Sequence, residues 1–121
     1  MKKVGFLASR KISTLSILPT LDWAMQVCKH KDITIVSGFH SKMERDVLKI
    51  LLQGECGIII VLARGMYSRL PQQYEEAMLQ NRILIISYEK ESVTRISEAT
   101  AHKRNDYVRE IADEMQTLDM L

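Results

Sequence analysis

The sequence predicts a three-layer α/β/α domain around a mostly parallel sheet of four to five strands, on three observations. Short apolar, β-branched runs alternate with segments of helical periodicity; the third run is apolar throughout; and polar turns follow the runs at regular intervals. Strand, helix, strand, helix, strand, helix, strand requires parallel pairing with crossovers, which is a Rossmann-like fold.

Residues 4–9 (Val-Gly-Phe-Leu-Ala-Ser) form the first expected strand, followed by the polar Arg10-Lys11. A helix is expected over residues 14–29, with Ile17, Leu21, Ala24 and Cys28 on one face. Pro19 is compatible only with its first turn, so the helix begins nearer Leu18. Residues 33–37 are a second strand ending at Gly38, and residues 42–53 a second helix with Val47, Ile50 and Leu51 inward, closed by Gly54.

Residues 57–63 lack alternation, so this strand is expected at the centre of a sheet covered on both faces. Pro71 suits the start of a third helix, with Tyr74, Ala77 and Met78 as its stripe, and residues 82–87 are a fourth strand. Beyond it the periodicity weakens. Helix is expected from Thr94 onward in part, and Asn105 is expected to cap a last helix reaching Met115 with Val108, Ile111 and Ala112 inward. Residues 117–121 are a candidate edge strand.

The 121 residues suit one domain over residues 1–121, and 46% hydrophobic with 26% charged residues is a globular balance. A net charge of +2 requires any nucleic-acid contact to come from a local cluster of cations. Cys28 and Cys56 make no Cys-x-x-Cys pair and are expected as reduced, buried thiols. Neither a signal peptide nor a bilayer-length apolar run is legible, which predicts a cytoplasmic protein without a membrane partner. Histidine spacing suggests no metal. Gly-x-Gly-x-x-Gly and the P-loop motif are both missing, so no cofactor is expected.

In parallel sheets, ligands bind beyond the carboxyl ends of the strands. The turn after the second strand, Ser37-Gly38-Phe39-His40-Ser41, is the best candidate. Ser41-Lys42-Met43-Glu44 fits a capping box, so a helix starts there, its free amides and positive dipole end make an anion site, and Gly38 lets a phosphate approach the backbone. Ser41 and Glu44 also cap the helix on either reading. Arg10, Lys11 and Arg64 are expected over the same edge, and Lys103-Arg104-Asn105 adds a further cation and an amide. His40 is expected to line the site; no acidic partner is assignable to it, and no catalytic residue is expected.

Residues 4–11 leading into a helix, Ile35-Val36-Ser37-Gly38 opening a second, the strand ending at Ala63, and Arg104-Asn105 together resemble the Rossmann-like core of the DNA-processing protein A (Smf) family. The resemblance covers nearly the whole chain. It implies a pocket for phosphates of single-stranded DNA, with Ser9, Arg10, Ser37, Gly38, Arg104 and Asn105 on the binding edge. The family belongs to the SLOG group of nucleotide- and nucleic-acid-binding folds. This chain departs from it by placing Phe39, His40 and Ser41 where a second small residue and a Gly-Ile-Asp element are usual, and it leaves no room for the accessory domains of full-length members. Phe39 is expected to narrow the cradle or to stack on a base.

Three functions follow as expectations. The first is a module that binds single-stranded nucleic acid or a nucleotide; a homodimer, supported by apolar helix faces, is an expectation tied to the third. The second is a nucleoside-phosphate N-glycosidase like a related SLOG branch, whose Pro-Gly-Gly loop and following catalytic Glu are not found here. The third is a nucleotide sensor reporting to a partner protein.

Overall fold

The structure, a computed structural model, describes residues 2–118. Five parallel strands form one sheet in the order β4-β3-β2-β1-β5: β1 (Lys2–Ala8), β2 (Ile33–Ser37), β3 (Gly57–Leu62), β4 (Ile83–Ser87) and β5 (Glu114–Leu118). The helices are α1 (Ile17–Val27), α2 (Lys42–Leu52), α3 (Glu75–Leu79) and α4 (Glu98–Ile111), with short 3-10 turns at Thr14–Ser16 and Gln72–Tyr74. This is the expected Rossmann-like arrangement.

Alternate strand residues sort the core into two layers. Val4, Phe6, Ile35, Ile58, Ile60 and Ile83 meet Ala24 of α1, Val47 and Leu51 of α2 and Ala77 of α3. On the opposite face Leu7, Val36, Ile59 and Val61 meet Val108 of α4. A fixed crossover hand explains the division. The chain steps from β1 to β4 in one direction, which keeps α1 to α3 on one face; it then reverses to place β5 beside β1, which carries α4 over the other. The reversal makes a switch point between β1 and β5.

Local chemistry moves several boundaries. Pro19 does lie in the first turn of α1, which starts at Ile17. Gly54 does not take a left-handed closing conformation; it sits against Cys28, whose Cβ a side chain at 54 would meet at 2.6 Å. The third helix is shorter than expected: Pro71 precedes the 3-10 turn, Tyr74 and Ala77 are buried, and Met78 is exposed.

The last helix is corrected most. Asn105 does not cap it, because Ser97 does, in a capping box with Thr100 (Ser97 Oγ accepts from Thr100 N at 3.1 Å, and Thr100 Oγ1 from Ser97 N at 2.9 Å). The helix stops at Ile111 and not at Met115. Asp113 N donates to Lys3 O at 2.8 Å while its carboxylate accepts from Lys3 N at 2.8 Å, and this exchange turns the chain into β5, where Met115 pairs with Gly5. The edge strand expected at 117–121 is thus β5, displaced toward its start; residues 119–121 lie outside those described.

Cys28 and Cys56 are both buried and free, as expected, and the fold sets them side by side, with Cys56 N donating to Cys28 O at 3.0 Å. Burial pushes the Cys56 thiol up to about 11, so it stays protonated and unreactive. Among the described residues no helix is long and apolar enough to cross a membrane.

Candidate functional site

Parallel pairing brings the ends of β1 to β4 to one edge, and the turn after β2 is the most constrained part of it. Its left-handed residue is Phe39 (φ 49°), not Gly38. That swing turns the Phe39 ring down into the core beneath the turn, where it is 6% exposed. It therefore cannot stack on a base, which corrects the expectation made for it. Ser37 is fully buried and its hydroxyl accepts from Phe39 N at 3.1 Å, so it holds the turn and does not face a ligand.

The amides of the turn are already engaged. The capping box forms as expected, but the Glu44 carboxylate does more than cap. One oxygen accepts from His40 N at 2.9 Å and Ser41 N at 3.2 Å, while the other accepts from Ala8 N at the end of β1 at 3.0 Å. Glu44 is 4% exposed. An internal carboxylate thus fills the cradle that the sequence reading gave to a phosphate. Helix geometry leaves the next two amides, those of Lys42 and Met43, without intrahelical acceptors. They border a cleft of about 340 Å³ lined by Ser9, Arg10, Lys11, Ile12, Ile17, Lys42, Met43 and Asp46.

Gly38 admits a cation and not an anion. A Cβ at Gly38 would overlap the guanidinium of Arg104, which reaches the turn from α4. Arg104 is 6% exposed; its Nε donates to Asn105 Oδ1 at 2.7 Å. Among the described residues its terminal nitrogens meet no protein acceptor. Because no fully buried polar side-chain atom there lacks a partner, those nitrogens open onto solvent-accessible space. Burial lowers the Arg104 pKa and nearby Glu44 raises it, but a guanidinium stays charged at neutral pH.

His40 records the positive charge around it. Its pKa is lowered from 6.5 by partial burial, then by Arg104, with smaller contributions from Arg45 and Arg10; Glu44 opposes them. The sequence reading names Arg10 and Arg104 as candidates at this edge, and the charge of both, with that of Arg45, acts on this imidazole. Arg45 it missed, although its place one turn into a capped helix was a usable signal. Arg64 does not join them: its Nε donates to Gly65 O at 3.2 Å and its guanidinium lies 5.1 Å from the centre of the Tyr67 ring. Ser41 serves as the cap.

At the switch point itself a smaller cleft of about 130 Å³ opens between β1 and β5, lined by Ser9, Glu44, Asn105, Arg109 and Thr117 among others. Arg109 and Thr117 also escaped the sequence reading, since only the folded topology brings them to Ser9. A larger groove of about 510 Å³ lies between the C-terminal halves of α1 and α2, at the opposite ends of those helices, and takes no part in this edge.

No family model matches the sequence, and no curated protein does. Among solved structures, DNA processing protein A from Helicobacter pylori, described for its single-stranded DNA binding mode, superposes with a TM-score of 0.68 at 20% identity over 96% of this chain. The fold is like that of DNA processing protein A. The match spans 53% of the Helicobacter pylori chain, so this chain corresponds to about half of that protein.

Proposed function

We propose that this chain binds single-stranded nucleic acid through phosphate contacts at the carboxyl edge of the sheet, with Arg104 as the central cation. The observation that carries the reading is the Arg104 guanidinium itself. A side chain this buried has lost most of its hydration, and its terminal nitrogens meet no protein acceptor among the described residues. A phosphate supplies two oxygen acceptors that the planar guanidinium fork can engage together. Arg10, after β1, and Arg45, in α2, extend the positive charge beyond a single phosphate, which favours a chain of phosphates over one mononucleotide. The DNA-processing-protein-A-like fold supports the same class of ligand.

The test is a salt titration of binding to a fluorescent oligo(dT). Wild-type affinity should fall steeply with salt. Arg104→Ala should lose at least about tenfold and lower the salt slope by about one unit, and Arg10→Ala should lower the slope with a smaller loss. Unchanged binding by Arg104→Ala would sink this site. Complete competition by a mononucleotide at equal phosphate concentration would replace the polymer with a single nucleotide.

A further inference from the structure

Beyond the phosphate contacts lies an aromatic pair that they do not use. Tyr88 follows the last residue of β4 and stacks on Tyr107 of α4, ring centroids 3.8 Å apart with 22° between planes. Tyr107 is half-buried against the layer of Leu7, Val36 and Val61, whereas Tyr88 is 48% exposed. The pair stands three residues along α4 from Arg104. On a helix, residues so spaced are neighbours about 5–6 Å apart, which is within the reach of one nucleotide.

We infer that Tyr88 is a stacking platform for a nucleobase of the same single strand whose phosphate Arg104 holds; the inference rests on that phosphate reading. Three features carry it. The ring is held in place before any ligand arrives, by Tyr107 beneath it and by the 3.1 Å ion pair from Glu89, next in sequence, to Lys103 on α4. Little side-chain freedom is then lost when a third ring is added. The surroundings are charged, with Glu89 and Lys103 beside the ring and exposed Lys90 two residues on. An apolar protein segment laid over the ring would desolvate the Lys103 and Lys90 ammonium groups, whereas a base covers the ring face alone and leaves those two in water. Stacking of this kind tolerates any base, which suits recognition through phosphates.

The experiment compares Tyr88→Ala and Tyr88→Trp with wild type and Arg104→Ala, using oligo(dT) and an oligonucleotide of the same length with abasic sites. Tyr88→Ala should weaken oligo(dT) about tenfold with the salt slope unchanged, and should bind the abasic strand as wild type does. Tyr88→Trp should keep its affinity, and oligo(dT) should quench the added indole while inorganic phosphate and the abasic strand leave it unaltered. If Arg104→Ala is weakened but Tyr88→Ala is not, the platform is wrong and the phosphate site stands. If wild type fails to bind oligo(dT), both fall together. Circular dichroism of the Tyr88 variants establishes that they fold.

Discussion

The guanidinium of Arg104, on α4, occupies the space where a side chain on Gly38, at the end of β2, would stand. Two elements on opposite sides of a chain reversal are thereby locked together at the proposed phosphate site.

Gly38→Ala should therefore destabilise the protein by roughly 1–3 kcal/mol through overpacking, and should weaken oligonucleotide binding by displacing Arg104. No glycine here has a positive φ, so backbone strain contributes nothing. In an Arg104→Ala background the stability cost should largely vanish. Urea denaturation of the four proteins of that double-mutant cycle measures the coupling; additive costs would show that the two residues do not compete for space.

Glu44→Ala should cost more than an ordinary lost cap. It strips acceptors from His40 N and Ser41 N and from Ala8 N on a different strand. A buried amide left unpaired costs about 1–3 kcal/mol on its own. Glu44→Gln should recover part of this, because its single carbonyl oxygen can serve only one side of the bridge. Chemical denaturation gives both values, and hydrogen exchange at Ala8 N should accelerate in each variant.

Ligand binding should strengthen as pH falls. His40 has a folded-state pKa below 6.5, so it is neutral in the free protein at neutral pH. The unfolded chain takes up its proton first, and this group's contribution to stability is lost as pH falls below about 6.5 toward the folded value. A bound phosphate raises that pKa, so binding takes up a proton and affinity rises through the same window. Affinity measured from about pH 7.5 to about pH 5.5 should climb for wild type and stay flatter for His40→Gln. Equal pH profiles would remove His40 from the site.

Arg82→Ala should reduce stability by about 1–3 kcal/mol without changing affinity. Its Nη1 donates to Cys56 O at 2.8 Å and Leu51 O at 3.3 Å, and its Nη2 to Leu52 O at 2.8 Å, so it closes the C-terminal end of α2 at the edge remote from the ligand. Thermal denaturation beside an oligonucleotide titration separates the two effects.

What the chain shows before folding depends on how local the physics is. β3 was legible because burial on both faces removes alternation, and the Ser41–Glu44 cap was legible because its partners lie three residues apart. The start of α4 was misread because Thr100 stands where a Glu or Gln usually completes the box, and polar Asn105 looked like the better cap. The reach of Glu44 to Ala8, the filling of Gly38 by Arg104, and the burial of Phe39 by its own left-handed backbone all depend on contacts between separate elements or on backbone torsion. At the candidate edge the roles read for two residues are exchanged: the glycine accommodates a cation, and the anion cradle holds a glutamate.

Because α4 is the helix that covers the second face of the sheet among the described residues, the proposed site is also ordered in time. A nascent chain that has emerged from the ribosome as far as β4 already carries Glu44 and the β2 turn, but it has neither Arg104 nor a cover for Val36, Ile59 and Val61. Closure of the hydrophobic layer and arrival of the central cation are one event. Affinity for a polyanion should consequently wait on α4, and a chain ended after β4 should lack the contribution of Arg104 while keeping Arg10 and Arg45.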